Sequence, residues 1–79
     1  MTRSIFSKSY AEFLNLLVSE RHKMKLTQDD VAKRLGRPQS FVSKYENGER
    51  RLDIIELFEI LNAYGTDPLD FVSRLDKSN

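Results

Sequence analysis

The 79-residue chain has no cysteine and a single histidine, His22. Without thiols, neither a disulfide framework nor a thiolate zinc site can form. One imidazole cannot build a metal centre by itself, so no cofactor is expected. No apolar run approaches the roughly 18 residues of a membrane span. The opening MTRSIFSKSY also lacks the apolar stretch of a secretory signal. The expectation is a soluble cytoplasmic protein with no membrane partner. Strand-like alternation, repeats and low-complexity tracts are missing too. No nucleophile–base pair, paired-carboxylate site or phosphate-binding glycine loop appears, which argues against an enzyme. A chain this short holds one domain, 1–79, with a modest core.

Formal net charge is only +1, yet its distribution is uneven. Residues 1–52 carry eleven Lys or Arg against six acids, giving +5, and residues 53–79 carry two against six, giving −4. Such a dipolar chain would turn its basic part toward a polyanion. Charge alone leaves an ordinary mixed surface open.

What is present is helical punctuation. The pattern predicts five helices, at about 9–24, 28–35, 38–47, 54–64 and 68–75. Ser9 with Glu12 reads as a capping box opening the first, whose stripe is Tyr10, Phe13, Leu14, Leu17 and Val18. Thr27 with Asp30 opens the second, and Leu26 and Val31 flank the cap as a hydrophobic staple. Val31, Ala32 and Leu35 face inward before Gly36. Pro38 suits the first turn of the third, which buries Phe41, Val42 and Tyr45 and stops before Gly48. Asp53 with Glu56 opens the fourth, with a Leu52–Leu57 staple and a core face of Ile54, Leu57, Phe58 and Leu61, with Tyr64 near its end. Asp67-Pro68 opens the last, and Asp76 to Asn79 read as a frayed tail. Ile5 and Phe6 read as packing residues, and His22 as a surface residue.

Helices two and three are joined by Gly36-Arg37-Pro38 alone. So tight a turn wants a small residue at Ala32, a glycine four later and a β-branched residue six after that, Val42. This spacing is the helix-turn-helix pattern, although any αα-hairpin also wants a glycine there. Opposite the buried side of helix three lie Gln39, Ser40, Ser43, Lys44 and Asn47, on one face by their spacing. All can hydrogen-bond and none is acidic, which suits base edges in a major groove. Gln28 at the start of helix two, Arg37 in the turn, and Arg50 and Arg51 after helix three suit phosphate. A solvated polar face is the alternative for such a helix taken alone.

The stretch LTQDDVAKRLGRPQSFVSKYENGERRL, continued by IIELFEILNAYGTDPLDFVSRL, resembles the lambda-repressor-like (Cro/repressor, XRE) helix-turn-helix family. The shared features are TQ opening helix two, A-x-x-x-G at the turn, QS-x-V-S-K in helix three and ENG closing it. The resemblance implies an all-α, compact five-helix DNA-binding domain that dimerises on palindromic sites. It places Gln39, Ser40 and Lys44 at base-reading positions with Ser43 beside them, and Gln28 and Asn47 near phosphates. It also implies an ion pair, Arg21–Glu46, that orients helix three. Pro38 departs from the polar N-cap common in the family.

The expected function is sequence-specific regulation of transcription, as a repressor, by a homodimer with half-sites about one helical turn apart. Leu69, Phe71, Val72 and Leu75 of the last helix are the expected dimer surface, or else they only cap the core. Asp29 and Asp30 favour the dipole and cap of helix two; acids near this place touch RNA polymerase in related activators. An antitoxin or protein-interaction module with autoregulatory DNA binding, its partner a toxin, is the alternative reading.

Overall fold

A computed structural model describes residues 7–78, so Ile5, Phe6 and Asn79 lie outside the described residues. Five helices follow in order: α1 Lys8–Lys23, α2 Gln28–Leu35, α3 Gln39–Glu46, α4 Ile54–Tyr64 and α5 Pro68–Ser78. Among the described residues there is no strand, and no helix is long and apolar enough to cross a membrane.

Local chemistry accounts for most of the helix ends. Thr27 and Asp53 each close a reciprocal capping box, with Asp30 and Glu56 respectively. The expected box at Ser9 is replaced by a cap two residues earlier. Ser7 Oγ accepts the Tyr10 amide at 3.1 Å, and Ser9 is already helical. Both serines stand three residues before an amide they could cap, and Ser7 is the one that does. Tyr10, drawn into the first turn, accepts the Leu52 amide at its hydroxyl and carries Arg51 over its ring, 4.1 Å from the centroid. Pro38 is the N-cap of α3, one position before the first turn assigned to it from sequence. The expected frayed tail is helical through Ser78.

Apolar spacing turns each helix inward. Leu14 and Leu17 of α1, Val31 and Ala32 of α2, and Phe41, Val42 and Tyr45 of α3 are buried in one core. Leu57, Ile60, Leu61 and Tyr64 of α4 complete it with Phe71 of α5. This rotates α4 away from the face read in its sequence. Ile54 and Phe58 are 58% and 47% exposed, whereas Ile60 is at 1%. Two stripes of the same i, i+3, i+4, i+7 form share Leu57 and Leu61. Which of them faces inward depends on where α2 and α5 lie.

Candidate nucleic-acid interface

Gly36 ends α2 with φ +68°, a left-handed conformation that costs a residue without a β-carbon little. Its amide and that of Arg37 return to the carbonyls of Lys33 and Ala32, which satisfies the last turn of α2. The chain then reverses within Gly36-Arg37-Pro38, and Ala32, 2% exposed, lies in the core beside α3. Helix α3 is anchored by Val42 and Tyr45, both fully buried. The Tyr45 hydroxyl meets that of Tyr64 at 2.7 Å, pinning α3 to α4. Burial pushes the Tyr64 phenol up to about 12, and pushes that of Tyr45 up further.

With its inner side fixed, α3 presents Gln39, Ser40 and Lys44 to solvent, with Ser43 half-buried and Asn47 exposed at the C-cap. No acidic side chain lies among these five. Gln39 is held by Gln28, whose Oε1 accepts its Nε2 at 2.5 Å. Gln28 in turn donates to Glu46 Oε1 at 2.9 Å. Glu46 is gripped on both oxygens by Arg21, at 2.7 Å from Nε and 3.1 Å from Nη2, and Arg21 also donates to the Leu26 carbonyl. The Glu46 carboxylate is the main reason that Arg21, despite its burial, is held even more firmly in its charged form. The Arg21–Glu46 pair is the one expected from the sequence. The two glutamines that extend it out to the exposed face were not expected.

A helix-turn-helix family matches residues 18–71. The chain belongs to the XRE helix-turn-helix family. That family is one of DNA-binding transcription regulators. An XRE-family like protein from Pseudomonas syringae pathovar tomato has a similar structure, with 47% identity, a TM-score of 0.85, and cover of 91% of this chain and 90% of that one. A restriction–modification controller protein, solved as a tyrosine-to-phenylalanine variant, shares the fold at 24% identity and a TM-score of 0.82, covering 91% of each chain. An uncharacterized HTH-type transcriptional regulator, y4dJ of Sinorhizobium fredii, is 33% identical over 58 residues, 73% of this chain and 75% of its own.

In this XRE chain the cations flanking α3 fall into two kinds. Arg37 lies over the Phe41 ring at 4.4 Å and Arg51 over Tyr10 at 4.1 Å, contacts that consume no N–H donor. Both are exposed. Arg50, expected as a free phosphate donor, is bound in a fork to Glu56 at 2.7 and 3.0 Å and also donates to the Arg51 carbonyl. Its charge is compensated within the chain.

The expected dimer residues also separate. Phe71 is fully buried in the monomer core, against Phe13 at a 6.1 Å ring separation, and therefore cannot line an outer surface. Leu69 is 79% and Val72 45% exposed, and Leu75 is half-buried. Ile54, Ile55 and Phe58 of α4 are also exposed, and sequence reasoning assigned none of them to a surface.

A second buried polar cluster was missed altogether. Glu20, 4% exposed, accepts the Thr66 hydroxyl at 2.7 Å and lies 2.9 Å from Arg74, tying α1 to α5. Burial would push its carboxyl up, but Thr66 and Arg74 outweigh it and hold it below the usual carboxylate value. The signal available in sequence was Glu20 standing on the inward stripe of α1, three residues after Leu17.

Proposed function

We propose that this chain is a sequence-specific transcriptional repressor that binds a palindromic double-stranded DNA site as a homodimer. Helix α3 enters the major groove and α2 braces against the backbone. The observation that carries this reading is the outer face of α3, polar, free of acids and held in orientation by the Arg21–Glu46–Gln28–Gln39 chain of bonds.

Gln39, Ser40, Ser43 and Lys44 read base edges. Gln39 uses one Nε2 hydrogen on Gln28, which leaves its oxygen and its second hydrogen for a base. An acceptor beside a donor is what an adenine edge requires in the major groove. Gln28, Arg37, Asn47 and Arg51 meet phosphates and fix the register. Asn47 Oδ1 is taken by the Glu49 amide, so its NH₂ group is the donor that serves this role. Repression follows from occupancy, since a protein seated on a short site excludes others from it.

The second copy supplies the other half of the site. Ile54, Ile55, Phe58, Leu69 and Val72 are exposed on α4 and α5, the two helices that follow α3 in the chain. Burying them against a twofold mate would remove apolar surface from water at about 25 cal/mol per Å².

Selection of binding sites from random duplexes, with the purified chain, tests the proposal. A symmetric consensus is expected, lost when Gln39 and Lys44 are both replaced by alanine. Absence of enrichment at low salt would sink the DNA-binding reading. An asymmetric consensus would sink only the homodimer.

A further inference from the structure

We propose that Glu56 limits the DNA affinity of this chain by holding Arg50 in an internal ion pair, withholding that cation from the phosphate backbone. The inference rests on the DNA-binding reading above and adds a residue that sets its strength.

The geometry is specific. Arg50 and Glu56 pair through two parallel hydrogen bonds, Nη1 to Oε1 at 3.0 Å and Nη2 to Oε2 at 2.7 Å. Nη1 also donates to the Arg51 carbonyl at 2.9 Å. Three of the five N–H groups of a guanidinium are thus engaged within the chain. Bidentate pairing of this kind is also how arginine takes a phosphate, so carboxylate and phosphate compete for the same edge. Glu56 is held for this role by the fold. Its Oε1 accepts the Asp53 amide at 3.0 Å in the capping box of α4, and its side chain is only 13% exposed. Arg50 is 41% exposed, so its cation stays within reach of solvent and of a ligand.

Arg50 belongs to the same cationic group as Arg37. Both guanidiniums lie over the one Phe41 ring, at 5.1 and 4.4 Å, at the end of α3 that opens toward the turn. Arg37 lies close enough to Glu56 to help hold its carboxyl charged. Of these two cations at one aromatic ring, Arg50 is neutralised by a fixed carboxylate. A released Arg50 would offer a second phosphate contact beside Arg37, and each such contact adds about 0.9 to the salt slope of binding.

The test is a comparison of Glu56→Gln with wild type on a selected site and on a random duplex across a salt series. Glutamine retains an acceptor for the Asp53 amide, so the cap of α4 persists. Circular dichroism and melting check that the fold does too. The expected result, counting one Arg50 from each protomer of the dimer, is a salt slope steeper by about 1.8 and binding tighter by roughly 60-fold near 0.1 M salt. The gain should be alike on both duplexes, because phosphates carry no sequence. In the Arg50→Gln background the same Glu56→Gln change should bring no steeper slope.

A folded Glu56→Gln variant with wild-type slope and affinity would overturn the proposal and reduce the pair to a structural brace. A gain that persists without Arg50 would overturn it as well, by showing only the removal of a negative charge. Wild-type chain that binds no duplex would instead refute the DNA-binding reading beneath it.

Discussion

Arg21 and Glu46, 25 positions apart in the chain, meet through two hydrogen bonds with both side chains at most 10% exposed. The pair joins the last turn of α1 to the last turn of α3, and Glu46 passes the constraint on to Gln28 and Gln39. One carboxylate therefore links the α1–α3 contact to the polar outer face of α3.

Replacing Glu46 by alanine leaves the Arg21 guanidinium buried without its partner. Removing one member of a buried pair costs about 3 kcal/mol or more. Urea unfolding should show that loss. DNA affinity measured under conditions where the variant is folded should fall as well, because Gln28 and Gln39 lose their anchor. Unchanged stability and affinity would show that the pair orients nothing.

The Tyr45–Tyr64 contact predicts a double-mutant cycle with strong coupling. Either single change to phenylalanine leaves one buried hydroxyl unpaired, at a cost of about 1–2 kcal/mol. Changing both removes the unsatisfied group, so the double variant should lie closer to wild type than the two losses added together. Additive losses would mean that the hydroxyls are not partners in solution.

The same pair sets an alkaline limit. The folded-state Tyr64 phenol is raised to about 12 from an ordinary value of 10.0. The folded chain therefore holds a proton that the unfolded chain releases between those values. Stability contributed by this group is complete below pH 10 and is lost as pH rises toward 12. Tyr45 is raised further and acts in the same sense. Melting temperature should fall above pH 10, and Tyr64→Phe should flatten that fall. An equally steep decline in the variant would assign the limit elsewhere.

Glu20 acts at the opposite end of the scale. Its folded carboxyl is held below the ordinary carboxylate value of 4.5, so its contribution is present above that value and is lost as pH falls beneath it. Glu20→Gln should be less stable at neutral pH and should show a shallower loss of stability in acid. A variant that retains the full acid dependence would point to other carboxylates.

Lys25 follows α1 with φ +61°, the one positive φ outside glycine among the described residues. A β-carbon makes this conformation costly by about 1–2 kcal/mol, which glycine relieves at some loss of chain entropy. Lys25→Gly should raise stability by about 0.5–1 kcal/mol, the net of those effects, in a chemical denaturation series. A destabilised variant would mean that the lysine side chain makes a contribution larger than the strain.

Much of this protein is legible along the chain, because much of it depends on neighbours three or four residues apart. The capping boxes at Thr27 and Asp53, the left-handed glycine between α2 and α3, and the bounds of α2 and α4 are local events. The polar face of α3 is local too, since helical periodicity alone puts Gln39, Ser40, Ser43 and Lys44 together. Tertiary structure decided whatever had more than one local solution. Ser7 rather than Ser9 caps α1, and Ile60 rather than Phe58 turned inward because the neighbouring helices fixed the rotation of α4. Phe71 went to the core while Leu69 stayed outside. The fates of the charges were likewise nonlocal. Glu20 found Thr66 across 46 positions, and Arg50 found Glu56 before any phosphate, because an ion pair depends on where folding brings two side chains and sequence spacing does not encode that distance.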